Sequence, residues 1–155
     1  LVAAHASVRF DLRSCRRLIG APCPPNPPSA LTSIRALPGS LGDIAVVDVG
    51  YNDWPESYDV PRVMRALRAR GVDRVVWVLL RETQSSYRGI NAEVRAAARR
   101  RRDIQVADWG RYARGRPWFV QDQVHLTTTG GWALARFMRR EIREAVAYLR
   151  AREDA

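Results

Sequence analysis

Ile44-Ala45-Val46-Val47-Asp48-Val49-Gly50 is the stretch on which the fold turns. It is a nearly continuous apolar run closed by glycine, and a strand covered on both faces, as in a parallel sheet, reads this way. Downstream, Val75-Val76-Trp77-Val78-Leu79-Leu80 repeats the pattern, and Ile104-Gln105-Val106-Ala107-Asp108-Trp109 gives a shorter third strand. Helical spacing fills the intervals. Asp59 followed by Pro61 opens a helix carrying Val63, Met64 and Leu67, which Gly71 caps. An Ala-rich helix is expected from about Asn91 to Arg102. Thr129 is expected to cap a long last helix with Leu134, Phe137, Met138, Ile142, Val146 and Leu149 on one stripe, the stripe and Trp132 both in the core.

Upstream of the opening stretch, Val8-Arg9-Phe10-Asp11-Leu12-Arg13 alternates apolar and charged residues, the period of a half-buried strand. Pro22, Pro24, Pro25, Pro27 and Pro28 then forbid regular structure and mark a surface loop. Ser29 caps a short helix through Leu37, which Pro38-Gly39 terminates. Strands alternating with helices across short loops specify an α/β domain with an open parallel sheet. The 155 residues form a single domain with neither repeat nor linker. In such sheets ligands bind beyond the carboxyl ends of the strands.

The net charge is +10, yet all 26 basic residues are Arg, which reads as a compositional replacement of Lys across a solvated surface. The run Arg99 to Arg102 ends a helix, where cations suit the dipole. No aromatic residue interleaves with that dense run, so nucleic acid is not an expected partner. No apolar run approaches the roughly 20 residues that span a bilayer. The chain opens on Leu1-Val2-Ala3-Ala4-His5 without methionine or a signal-peptide pattern, so a removed or missing N-terminal piece is expected. The two cysteines, Cys15 and Cys23, flank the Pro-rich loop. A disulfide between them, implying an oxidising compartment, is favoured over two reduced thiols. With only His5 and His125 available, a His-based metal site has little to draw on.

Two constellations carry chemistry. Gly50-Tyr51-Asn52-Asp53-Trp54 follows the opening strand; glycine permits close backbone approach, and the Asn52 amide suits a developing oxyanion. The same residues also make an ordinary strand-ending turn. Asp122-Gln123-Val124-His125 precedes the last helix. There an imidazole can shuttle protons near neutral pH, with a carboxylate three residues earlier to orient it. Local helix capping is the plainer alternative.

Taken together, the two motifs resemble the SGNH (GDSL-type) hydrolase pattern. Gly50-Tyr51-Asn52-Asp53 is similar to that family's third block, and Asp122-Gln123-Val124-His125 to its fifth. The strand with Trp77, the segment Tyr87 to Asn91, Asp108-Trp109 and Trp118-Phe119 agree, so the resemblance runs from about Val8 to Leu149. It implies a flavodoxin-like three-layer sandwich and a cofactor-free deacylation of small-molecule, lipid or glycan esters. His125 would be the general base, Asp122 its orienting partner, and Asn52 with Gly50 the oxyanion donors. Tyr51, Trp54 and Trp118 suit an acyl or sugar pocket, and equally serve as lids of the core.

The family's first block, a Gly-Asp-Ser-Leu-like turn that supplies the nucleophile, has no match; Gly20 is the nearest candidate for the second-block glycine. Three readings compete. The chain is a fragment lacking the first central strand and its serine, with Leu1 to Ala6 the tail of the first helix. Alternatively it is a non-catalytic domain that keeps the cleft and binds a ligand, or Ser14 has become the nucleophile, Ser7 standing just before a strand. The location expected is extracellular or the cell envelope. Self-association is not legible.

Overall fold

The computed structural model describes residues 7–24 and 27–154. Leu1 to Ala6 and Pro25, to which expectations were attached above, lie outside the described residues. The architecture is α/β: a three-stranded parallel sheet of order β1-β2-β3, from β1 (Ile44–Val47), β2 (Arg74–Val78) and β3 (Ile104–Ala107), with helices on both faces. In the register, Val46 pairs with Val76 and Trp77 with Val106.

One face is covered by α1 (Ala30–Ala36), α2 (Val60–Arg68) and α3 (Ser85–Arg100). Period-two alternation sends Val47, Val75 and Trp77 into that layer, against Leu31, Met64 and Ile90. The opposite face receives Val76 and Val78, packed on Trp109 of the short α4 (Trp109–Tyr112) and Phe137 of α5 (Thr128–Glu153). Burying a core side chain such as Trp77 or Phe137, both 2% exposed or less, stabilises the fold by roughly 1.5–3 kcal/mol each.

Local chemistry explains most helix starts. Ser29 Oγ accepts the Thr32 N–H, and Asp59 Oδ1 accepts that of Arg62, at 3.2 and 2.9 Å. Asp108 caps α4 through the Arg111 N–H at 2.9 Å. The cap of α5 is Thr127 rather than Thr129, its hydroxyl taking the Gly130 N–H at 3.1 Å. Helix α3 begins at Ser85, six residues before the expected start. Its buried stripe of Tyr87, Ile90 and Val94 is interrupted in sequence by Asn91, which is itself buried. The Asn91 amide donates to the Leu80 carbonyl and accepts the Leu80 N–H, both at 2.8 Å, so a polar side chain extends the strand ladder.

Three expectations are corrected. Val8 to Arg13 is not a strand: Val8, Phe10 and Leu12 stand exposed, because alternation supplies a face but no described strand lies beside it to pair with. The opening stretch is covered on only part of its surface, since β1 is an edge of the described sheet and Val46 is 37% exposed. Trp132 is 67% exposed and Ile142 stands exposed beside an open groove of about 660 Å³ along Val146 and Arg150. Instead α5 buries Ala133, Phe137, Glu141 and Ala145. The two alanines let the helix approach the sheet closely, and Glu141 is satisfied by Gln105 at 3.0 Å and Arg140 at 2.7 Å.

The Cys15–Cys23 disulfide is present and closes the loop between them. No helix among the described residues is long and apolar enough to cross a membrane.

Candidate acid–base site

Beyond the carboxyl end of β1, the chain turns at Gly50, whose φ is +155°. A Cβ there would be strained by that φ and would stand 2.9 Å from the Leu80 Cδ1, a side-chain tip that would have to shift, so glycine is favoured chiefly by the backbone. The turn closes through the Asp53 N–H to the Gly50 carbonyl at 2.9 Å. Asp53 is buried, and both its oxygens accept the Leu18 N–H at 3.0 Å, fastening the disulfide-closed loop to this turn. Burial pushes its carboxyl up to about 6. Asn52 and Trp54 stay exposed at the rim.

The second piece is the loop between α4 and α5. Phe119 and Leu126 form an antiparallel bridge. The His125 carbonyl accepts the Val120 N–H at 2.9 Å, and the Val120 carbonyl accepts that of Gln123 at 2.9 Å. At its tip Gln123 adopts φ +62°, in the left-handed region. Asp122 Oδ1 accepts the N–H groups of Val124 and His125 at 2.8 and 2.9 Å, while Oδ2 lies 2.6 Å from His125 Nδ1. These bonds hold the Asp122 carboxyl down at about 2, the Val124 N–H first among them. An ionised carboxylate only accepts, so Nδ1 carries a proton and the neutral imidazole presents Nε2 as its acceptor. The His125 side chain is 80% exposed, leaving that nitrogen accessible.

Two residues tie these turns together. The Arg81 backbone N–H donates to the Tyr51 hydroxyl at 2.9 Å, and its guanidinium donates to the Gln123 Oε1 at 2.7 Å and carbonyl at 3.1 Å. Tyr87 meets Tyr51 edge to face at 5.1 Å and donates its hydroxyl proton to the Tyr51 carbonyl at 3.3 Å. Burial and the Asp122 charge raise the Tyr87 hydroxyl, so the carboxylate lies within electrostatic reach of this pair. Tyr51 is pushed up to about 12, chiefly by burial.

The sequence-predicted residues therefore fall as follows. Gly50, Tyr51, Asn52 and Trp54 share one turn, joined through Tyr51 and Arg81 to the turn carrying Asp122 and His125. Trp118 stacks on Trp109 at 5.7 Å and 9°, and its carbonyl accepts the Thr127 N–H at 2.9 Å. No described serine hydroxyl bonds the imidazole, whose Nδ1 pairs with Asp122. No group of three or more His, Cys, Asp or Glu among the described residues is placed to hold a metal ion.

Two contributors escaped the sequence reading, as did the contacts of Tyr87, which it names only as the start of a segment. Arg81 sits in a segment whose polar composition does not single it out. Gly130 had a signal, because two consecutive glycines in a helix mark a close approach. A Cβ on Gly130 would fall 2.0 Å from the Trp118 carbonyl oxygen, so only glycine lets α5 start against the loop. Among known proteins, no family model matches the chain and no curated protein matches it.

Proposed function

We propose that the chain is a serine ester hydrolase domain of the SGNH type, deacylating a small-molecule, lipid or glycan ester. The observation that carries this reading is the exposed Asp122–His125 couple, 2.6 Å between carboxylate oxygen and Nδ1, on a turn joined through Arg81 and Tyr51 to the Gly50–Trp54 turn. In the proposed reaction His125 Nε2 takes the proton of a serine hydroxyl as that oxygen attacks the ester carbonyl. The imidazolium then returns the proton to the departing alkoxide, and a water repeats the cycle on the acyl-enzyme. In this reading Asp122 stabilises the imidazolium, and the Asn52 amide with the Gly50 backbone N–H donates to the oxyanion. Which serine attacks is the open element; Ser14 is the candidate within the chain, and a serine supplied from outside it is the other. The Cys15–Cys23 disulfide is compatible with an extracellular or cell-envelope location.

Hydrolysis of p-nitrophenyl acetate by the chain, compared with Asp122→Ala and His125→Ala, tests the reading. A rate lost in both variants, with a fluorophosphonate label recovered on one serine by mass spectrometry, supports it. Equal rates in all three proteins and no label, together with no serine-bearing strand encoded upstream of Leu1, sink it and leave a ligand-binding domain without turnover.

A further inference from the structure

We infer that Arg81 is a positioning residue for the Asp122–His125 couple, an inference that rests on the acid–base reading above. The imidazole and its carboxylate are held by little packing: the side chains are 80% and 48% exposed. Their orientation therefore comes from the backbone of the turn that carries them. That turn contains Gln123 at φ +62°, a conformation unfavourable for a non-glycine residue that persists when surrounding contacts impose it.

Arg81 supplies those contacts from a firm base. It follows β2, the central strand, directly after Leu80, whose N–H and C=O are both fixed by the buried Asn91 amide. Its own N–H is fixed on the Tyr51 hydroxyl. From that root Nη1 donates to both the carbonyl and the side-chain oxygen of Gln123, at 3.1 and 2.7 Å. The guanidinium carbon lies 4.1 Å from the centroid of the Phe119 ring, on the first arm of the same loop. One planar cation thus holds that arm together with the tip, the residue of unfavourable φ between Asp122 and His125. A lysine ammonium is a point charge on a flexible stem and does not combine ring stacking with directed bonds in this way.

The test uses nitrogen-15 NMR of the imidazole in the chain as it is, because the tautomer reports orientation rather than global folding. In the wild type, the Nδ1–H tautomer with a downfield proton is expected, and Asp122→Asn should abolish that signature. Arg81→Met, which keeps the stem and removes the fork, should lose most of the downfield proton and mix the tautomers, while the β2 amide shifts stay native. Arg81→Lys should fall with Arg81→Met. Should Arg81→Met lower the melting temperature, Arg81→Lys and Gln123→Gly, which keeps the backbone acceptor and favours φ +62°, carry the test. In Gln123→Gly the signature should largely survive. An Nδ1–H signature unchanged in both Arg81 variants overturns the positioning role alone. A wild-type signature indifferent to Asp122→Asn overturns the acid–base reading beneath it.

Discussion

Asp122 holds His125 at two points: one carboxylate oxygen takes the backbone N–H at 2.9 Å, and the other faces the ring Nδ1 at 2.6 Å. The same side chain therefore makes the turn and orients the imidazole. Asp122→Asn keeps an acceptor for the backbone donors and loses the charge that stabilises the imidazolium. Against p-nitrophenyl acetate we expect kcat to fall by about 10³–10⁴, with KM changed little. Because the Asp122 carboxyl is held at about 2, its negative charge persists above that pH and is lost only as pH falls through it.

Asp53 predicts an unusual acid response. Its folded-state carboxyl is raised by burial to about 6 from an ordinary 3.8, so the native state holds the proton more tightly than the unfolded chain. The sign follows directly: this contribution is fully present below about 3.8 and is lost as pH rises through about 6. Urea midpoints should rise on acidification from pH 7 to 4.5, with Asp53 contributing about 2 kcal/mol over that window. Asp53→Asn, which stays neutral, should remove its share of that rise and leave the part due to Asp48, whose carboxyl is likewise pushed up to about 6.

Gly130→Ala should be among the most damaging single substitutions at the loop–helix junction. The added methyl meets a backbone oxygen at 2.0 Å rather than a yielding side-chain tip, so the loop or α5 must shift. We expect a loss of roughly 2–4 kcal/mol in denaturant unfolding, with the amide shifts of Trp118 to Thr127 displaced. Gly131→Ala, where a Cβ meets nothing within 4 Å, should be neutral or slightly stabilising.

Reduction of the Cys15–Cys23 bridge frees a loop of eight residues' separation and should cost roughly 2–3 kcal/mol by chain entropy. The melting temperature should drop on adding reductant, and a Cys15→Ser, Cys23→Ser chain should show no further drop. The local damage should appear first at Arg17 and Leu18, whose carbonyls accept the N–H groups of Ala30 and Leu31 and start α1 on that segment.

Much of this arrangement was legible because single residues declare their roles. The apolar runs at Ile44 and Val75 gave parallel strands, Ser29 and Asp59 named their own caps, and Asp-x-x-His marked a bonded pair. Other features depend on partners that no local pattern contains. Val8 to Leu12 has the alternation of a strand, but a strand exists only when another backbone answers it. The stripe on α5 was read by hydrophobicity, whereas Ala133 and Ala145 won the buried face by being small. Arg81 and Gln123 meet across 42 positions of sequence, and the charge of an arginine in an arginine-rich chain gives no hint of that appointment.

The one-sided position of β1 fixes how its amides should exchange with deuterium. Asp43 turns its carbonyl to the Arg74 N–H, so alternation directs Ala45 and Val47 toward β2 and turns Val46 and Asp48 outward. Among the described residues nothing receives those outward amides. Val46 and Asp48 should therefore lose their protons in minutes, while Val76 and Trp77, bonded on both sides, exchange only through global opening. A molecule so closed at its centre and so permeable along one margin is protected by sheet position, strand by strand, rather than by depth.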